Sequence, residues 1–383
     1  MKFLEKFFAR FKTEPPHQPQ ENCALLEPVK FLRQIVTADS RNSRTIMWNS
    51  ATPLENVKIE YRIFGADAAN FGEVSADFFG EDYIYRATIE NLKAASLYEF
   101  RVVAGGYATA WQKLRTAGDG EFEMLVFSDS QSMNYKTWRR TAEHARKNFP
   151  DAEILAVNGD FTDNGQDYWQ WRQWYAAAEN LLRERILAPV MGNHECYDEN
   201  WWGCEPSGYL KNFALPSNGD KNYGGYFYSF DYGAARFFVL NTQFNELQEF
   251  KAGLQDAQAY WLRWESAGSS RPWRIVFMHK SVYNRSLSGF VDEAERYFLP
   301  LFDELEIDLV ISGHLHMFKN GGKFFAQKKS ERGPHYVLCG RSGDHNYNHE
   351  PESYLELKVR ADSLAVRAQA VTGEILDHFT LKK

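Results

Sequence analysis

Five apolar runs, each ending in a short polar block, set the tightest limit on what this chain can fold into. They are MLVF at 124–127, ILAV at 154–157, ILAPVM at 186–191, IVFM at 275–278 and LVIS at 309–312. Each is apolar at consecutive positions, so as a strand it is covered on both faces. Helix-like stretches at 135–148, 167–185, 256–265 and 291–305 alternate with them, which indicates an α/β core. The polar blocks that follow are SDSQ (128–131), GDFTD (159–163), GNHE (192–195), HK (279–280) and GHLH (313–316).

In such sheets ligands sit at the carboxyl ends of the strands. Those ends here release Asp129, Gln131, Asp160, Asp163, Asn193, His194, His279, His314 and His316. Mixed carboxylate, amide and imidazole donors suit Zn, Fe or Mn better than Ca or Mg alone. One carboxylate, Asp160, can bridge two ions about 4 Å apart. Gly159 lets the chain turn beside it, and Gly192 frees the backbone before Asn193. His314 and His316 are two residues apart, so in an extended segment both rings face one side.

Residues 27–118 read differently. Five alternating or β-branched runs with turn residues between them indicate a β-sandwich. Residues 117–120 (AGDG) read as a hinge to the domain at 119–383. The first 26 residues combine an amphipathic stretch, MKFLEKFFARFK, with a Pro/Gln-rich linker. That stretch lacks the apolar core and cleavage site of a signal peptide. It suits packing on the protein itself, with weak membrane contact through residues 1–12 as the alternative. A formal net charge of −7 gives no overall electrostatic case for nucleic-acid binding. Of four cysteines, Cys196 and Cys204 are near enough in sequence to pair, but free thiols are the preferred reading.

The ordered blocks resemble the calcineurin-like metallophosphoesterases, whose pattern is D-x-H, G-D-x-x-D, G-N-H-[DE], H and G-H-x-H. The stretch LKAASLYEFRV at 92–102 is similar to the end of a fibronectin type III domain. A fibronectin-like sandwich ahead of such a core is similar to the layout of purple acid phosphatases. The resemblance implies a four-layer α/β (α+β) metallophosphoesterase sandwich preceded by an all-β fibronectin-like sandwich. It implies two divalent ions (Fe, Mn or Zn), the first on Asp129, Asp160 and His316, with Gln131 as a further donor. The second would lie on Asp160, Asn193, His279 and His314. His194 would assist attack of a metal-bound hydroxide on a small phosphomonoester. A phosphodiesterase acting on nucleotides or lipids is the alternative. A protein working through surface or partner binding by the β-sandwich is the alternative of another class.

Two positions depart from the family patterns. Gln131 stands where the general family has His. Asp163 stands where purple acid phosphatases have the Tyr that colours them, so no purple band is expected. Asp163 reads as a support for the ligands or as a helix N-cap. His144, His335 and His378 read as surface or core residues, and 341–347 as a rim loop carrying His345. Trp201, Trp202, Tyr197, Tyr283 and Arg285 read first as packing and second as substrate contacts. The cytoplasm is the expected location, with peripheral membrane attachment or export as alternatives.

Overall fold

The structure is a computed structural model, and it describes residues 27–282, 293–347 and 349–383. The segment expected over 1–26, and Tyr283 and Arg285, lie outside the described residues.

Two sheets stack face to face with helices outside them. The first runs in the order Ile375–Lys382, Ser363–Ala370, Ser353–Val359, Phe122–Phe127, Ile154–Asn158, Ile186–Val190, Lys30–Ile35, Arg44–Ser50, Asp82–Ile89 and Ser75–Phe79. The second runs Tyr228–Tyr232, Ala235–Val239, Trp273–Phe277, Leu309–Ser312, His335–Leu338, Lys319–Phe325 and Lys328–Lys329. Phe122 of the first sheet meets Phe237 of the second, ring centres 6.1 Å apart. The next residue, Phe238, points the other way and meets Trp261 of helix Leu254–Ala267. This two-residue alternation is why the central strands are apolar at every position.

The helices follow from their own spacing. Tyr168–Glu184 is capped by Asp167, whose carboxylate accepts the N–H groups of Trp169 (2.9 Å) and Gln170 (3.3 Å). It buries Trp171, Trp174, Tyr175, Ala178, Leu181 and Leu182 along one face. Lys136–Asn148 buries Trp138, Thr141, Ala142 and Ala145, and Trp138 stacks on Trp174 at 5.6 Å. Among the described residues no helix is long and apolar enough to cross a membrane.

The N-terminal β-rich region is continuous with the first sheet. Lys30–Ile35 pairs in parallel with Ile186–Val190 through Gln34↔Ile186 and Ile35↔Leu187. A third sheet, Asn70–Gly72, Lys58–Ile63, Leu97–Ala104 and Tyr107–Ala108 with Gln112–Arg115 beside it, covers the far side. Alternation again divides the side chains. Ile46 and Trp48 enter a core with Ile59, Phe100, Val102 and Leu114, while Met47 enters the main core. The segment 117–120, expected as a hinge, is tied at both ends. Ala117 N–H donates to Ser40, and the Asp119 carboxylate accepts Arg271 (2.7 Å) and Arg41 (3.2 Å).

Ile186–Val190 is wholly buried and takes one of its two neighbours from the N-terminal region. Deleting 27–118 would bare a flat apolar strand edge. The truncated protein is expected to aggregate in size-exclusion chromatography. A soluble monomer with unchanged melting behaviour would contradict this coupling.

Candidate metal centre

The carboxyl ends of the two sheets meet at one rim. Asn158 at the end of Ile154–Asn158 donates its side-chain N–H to the Ile311 carbonyl (3.0 Å) across the interface. Asp129 N–H donates to Gly159, and both Asp129 carboxylate oxygens accept His314 N–H at 3.0 Å. The blocks read from the sequence are therefore joined by hydrogen bonds.

Asp160 lies at the middle of the rim and is 1% exposed. Its Oδ2 is 3.0 Å from His279 Nε2 and 3.8 Å from His194 Nε2. His279 Nε2 is also 3.0 Å from Asn193 Oδ1 and 3.2 Å from His314 Nδ1. On the other side, Asp129 is 3.5 Å from His316 Nε2. Two groups can each hold a cation: Asp160 with His279 and His314, and Asp160 with Asp129 and His316. Asp160 belongs to both. The Gln131 amide nitrogen lies 3.5 Å from both Asp160 and His316, and its Oε1 is buried without a hydrogen-bond partner. The structure thus gathers every candidate metal residue read from the sequence.

The rings are aimed by main-chain carbonyls. The Nδ1 atoms of His279, His316 and His194 each lie 2.7 Å from a carbonyl, of Asn158, His345 and Asp163 respectively. With the Nδ1 proton committed there, each Nε2 faces the centre, which is how metal-site imidazoles are oriented. His314 instead presents Nδ1.

Two buried carboxylates beside imidazoles and two amides are the donor set that a cation site would need. Their electrostatics agree. Burial pushes the Asp129 carboxyl above its ordinary value. Burial acts in the same direction on Asp160, but the His279 and His194 imidazoles outweigh it and hold that carboxyl low. Burial lowers His279, yet Asp160 and Asp129 raise it to about 9. Burial and then the His279 charge push His314 down. Without cations, these groups can share protons only unequally.

The backbone is strained at the same places. Asp129, Asp160, His314 and His316 all have positive φ, between 51° and 71°. Non-glycine residues adopt that region seldom, and it gathers at functional sites. Gly159 (φ 84°) does serve the turn, as expected. Gly192 serves close approach instead of backbone freedom: a Cβ there would lie 2.2 Å from Asp160 Oδ1 and 2.4 Å from Asp160 N.

Several contributors are visible only in three dimensions. Glu195 is fully buried and accepts the main-chain N–H groups of Gly192 (2.8 Å), Asp160 (2.9 Å) and Phe161 (2.9 Å). Burial first, then the Asp160 charge, raise its carboxyl to about 7. The GNHE block contained Glu195 but gave no hint of this task. Asp163 caps no helix, since Asp167 does that. Its carboxylate pairs with His345 Nε2 at 2.5 Å, which brings the 341–347 loop to the centre. Lys280 donates to both oxygens of Glu246 at 2.8 Å, and Glu246 also accepts the Tyr197 hydroxyl. Elsewhere, His144 bonds Tyr354 and His335 stacks on Phe379. Cys196, Cys204 and Cys339 are free thiols.

Residues 122–318, just over half of the chain, match the family model for calcineurin-like phosphoesterases. The chain belongs to the calcineurin-like phosphoesterase family. It is 26% identical over 202 residues to purple acid phosphatase 23 of Arabidopsis thaliana, covering 51% of this chain and 40% of that one. It is 30% identical over 326 residues to an uncharacterized protein of Mycobacterium tuberculosis, covering 73% and 60%. The chain therefore spans less than two thirds of the length of these relatives. The fold is also that of a purple acid phosphatase from yellow lupin (Lupinus luteus) seeds, with TM-score 0.79 and 14% identity over 92% of this chain and 74% of that one. PhoD gives TM-score 0.67 at 11% identity, over 94% and 92%. This phosphoesterase core therefore has the four-layer fold that its blocks implied.

In this member of the family Glu195→Gln would turn an amide N–H toward a main-chain N–H. An unsatisfied buried group costs about 1–3 kcal/mol. The variant is expected to melt lower by a matching amount in thermal denaturation. An unchanged melting temperature would show that Glu195 does not hold the Asp160 turn.

Proposed function

We propose that this chain is a metal-dependent phosphoric ester hydrolase that acts on small phosphomonoesters. Asp129, Gln131, Asp160 and His316 would hold one divalent ion, and Asp160, Asn193, His279 and His314 a second. The observation that carries the reading is one buried carboxylate, Asp160, shared by two ligand groups with His194 Nε2 3.8 Å away. When bound, such ions polarise phosphoryl oxygens and lower the pKa of water toward ~7.

The protein's own groups have distinct tasks in this scheme. The five carboxylate or imidazole ligands and the two amides would hold the ions at the rim where the phosphoryl group binds. The Asp163 carbonyl accepts a hydrogen bond from His194 Nδ1–H, which leaves Nε2 to carry the proton that moves. From there it can pass to the leaving-group oxygen as the ester bond breaks. Asp160 Oδ1 accepts the His194 main-chain N–H (3.0 Å), which holds that ring at a fixed distance from the shared carboxylate. That two relatives are named purple acid phosphatases supports the phosphatase side of this reading.

The test compares p-nitrophenyl phosphate with bis(p-nitrophenyl) phosphate in the metal-loaded protein. The monoester is expected to give the higher kcat/KM. A higher value for the diester would move the assignment to a phosphodiesterase, and hydrolysis of neither would overturn it. His194→Ala is expected to lower kcat by about 10²–10⁴ with metal content unchanged.

A further inference from the structure

Trp201 is held in a backbone conformation that a tryptophan rarely adopts, with φ 65°. The loop that carries it is built tightly. Trp201 N–H donates to the Asp198 carbonyl (2.9 Å), and Asp198 N–H donates to the Trp202 carbonyl (2.8 Å). The Asp198 carboxylate accepts the N–H groups of Asn200 (2.8 Å) and Trp202 (2.9 Å). A turn of this kind followed by a left-handed residue normally carries Gly or Asn at that position. Tryptophan there is unfavourable for folding, and strain of this sort is retained where the side chain is used.

The strain sets the indole beside His194. The two ring centres are 5.7 Å apart and nearly perpendicular, at 87°. Tyr197 closes the same cluster, 6.0 Å from Trp201 and 6.1 Å from His194, and is anchored by its hydroxyl on Glu246. Trp202, the next residue, is 73% exposed. A group that receives a proton from His194 Nε2 approaches the ring that the indole stands against.

We infer that Trp201 selects the leaving group, and that the preferred substrates are phosphoesters of flat aromatic alcohols rather than of simple alkyl alcohols. The inference rests on the hydrolase reading above and on His194 facing the leaving group. A flat ring lies against the indole and gains contact that an alkyl group of similar charge does not. The wall touches the leaving group and not the phosphoryl group, so it acts on specificity while leaving the metal ligands as they are.

The experiment compares phenyl phosphate with glycerol 2-phosphate in the metal-loaded full chain, in Trp201→Gly and in Trp201→Phe. Comparing the aryl/alkyl ratio of kcat/KM between proteins cancels the intrinsic difference in leaving-group reactivity. The ratio is expected to fall about tenfold in Trp201→Gly and to be retained within about threefold in Trp201→Phe. Glycine relieves the strain, so that variant is expected to melt at or above the parent temperature. A ratio unchanged in Trp201→Gly would overturn the inference. Calorimetric binding of phenylphosphonate and methylphosphonate supplies a readout free of turnover. Tighter phenylphosphonate binding that disappears in Trp201→Gly supports the aryl wall, and equal binding of the two by the parent overturns it. Absence of hydrolysis of both esters would instead overturn the hydrolase reading, with the phosphonate result still deciding the role of Trp201.

Discussion

The Asp160 carboxylate is the constraint around which the centre is arranged. It is buried, it touches His279 and His194, and it belongs to both groups of candidate metal ligands. A buried carboxylate is costly unless cations or donors compensate it. Here compensation is arranged on every side. His194 N–H meets Oδ1, imidazoles meet Oδ2, and Glu195 holds the peptide on which Asp160 stands. Asp160 itself and three residues around it, Asp129, His314 and His316, keep positive φ to make this possible. Such an arrangement stores strain and charge, and divalent ions are what would relieve the charge.

Strain and charge of this kind persist only on a rigid support. The support is the pair of sheets whose carboxyl ends meet through the Asn158–Ile311 and Asp129–His314 bonds. Aromatic contacts such as Phe122 with Phe237 fix the distance between the sheets, and Trp138 on Trp174 fixes the outer helices. The N-terminal strands complete the first sheet instead of hanging from it as a separate bead. Their pairing at Gln34↔Ile186 lies on the strand that leads directly into GNHE. The β-rich region therefore acts on the centre by shielding the edge of Ile186–Val190.

Much of this was legible in the sequence, for a local reason. Strand and helix periods are written in neighbouring residues, so the apolar runs and their polar ends placed Asp129, Asp160, Asn193, His279, His314 and His316 on one rim. The end of helix Tyr168–Glu184 was close to its expected position because Asp167 caps it. What was not legible depends on contacts between distant positions. The Asp163–His345 pair spans 182 residues, and no local pattern signals it. Glu195 could be seen as a motif letter but not as the acceptor for three peptide N–H groups. Gly192 could be seen as a glycine, but that its missing Cβ makes room for Asp160 required the neighbour's position. The strained φ of Trp201 leaves no trace in composition. The tie between 27–118 and the core was also hidden, because a parallel strand pair carries no signature of its partner.

Gln131 is where sequence and geometry bear on the same question. The sequence marked it as a departure from the family, and the structure sets its amide nitrogen 3.5 Å from Asp160 and His316 and buries its Oε1 with no protein partner. With the amide turned over, its oxygen would face the cation proposed between Asp129 and His316. Anomalous diffraction from crystals soaked in Mn or Zn addresses the central claim most directly. The account expects two anomalous peaks on either side of Asp160, one against His279, His314 and Asn193, the other against Asp129, His316 and Gln131. A single peak, or peaks that leave Asp160 unshared, would contradict it.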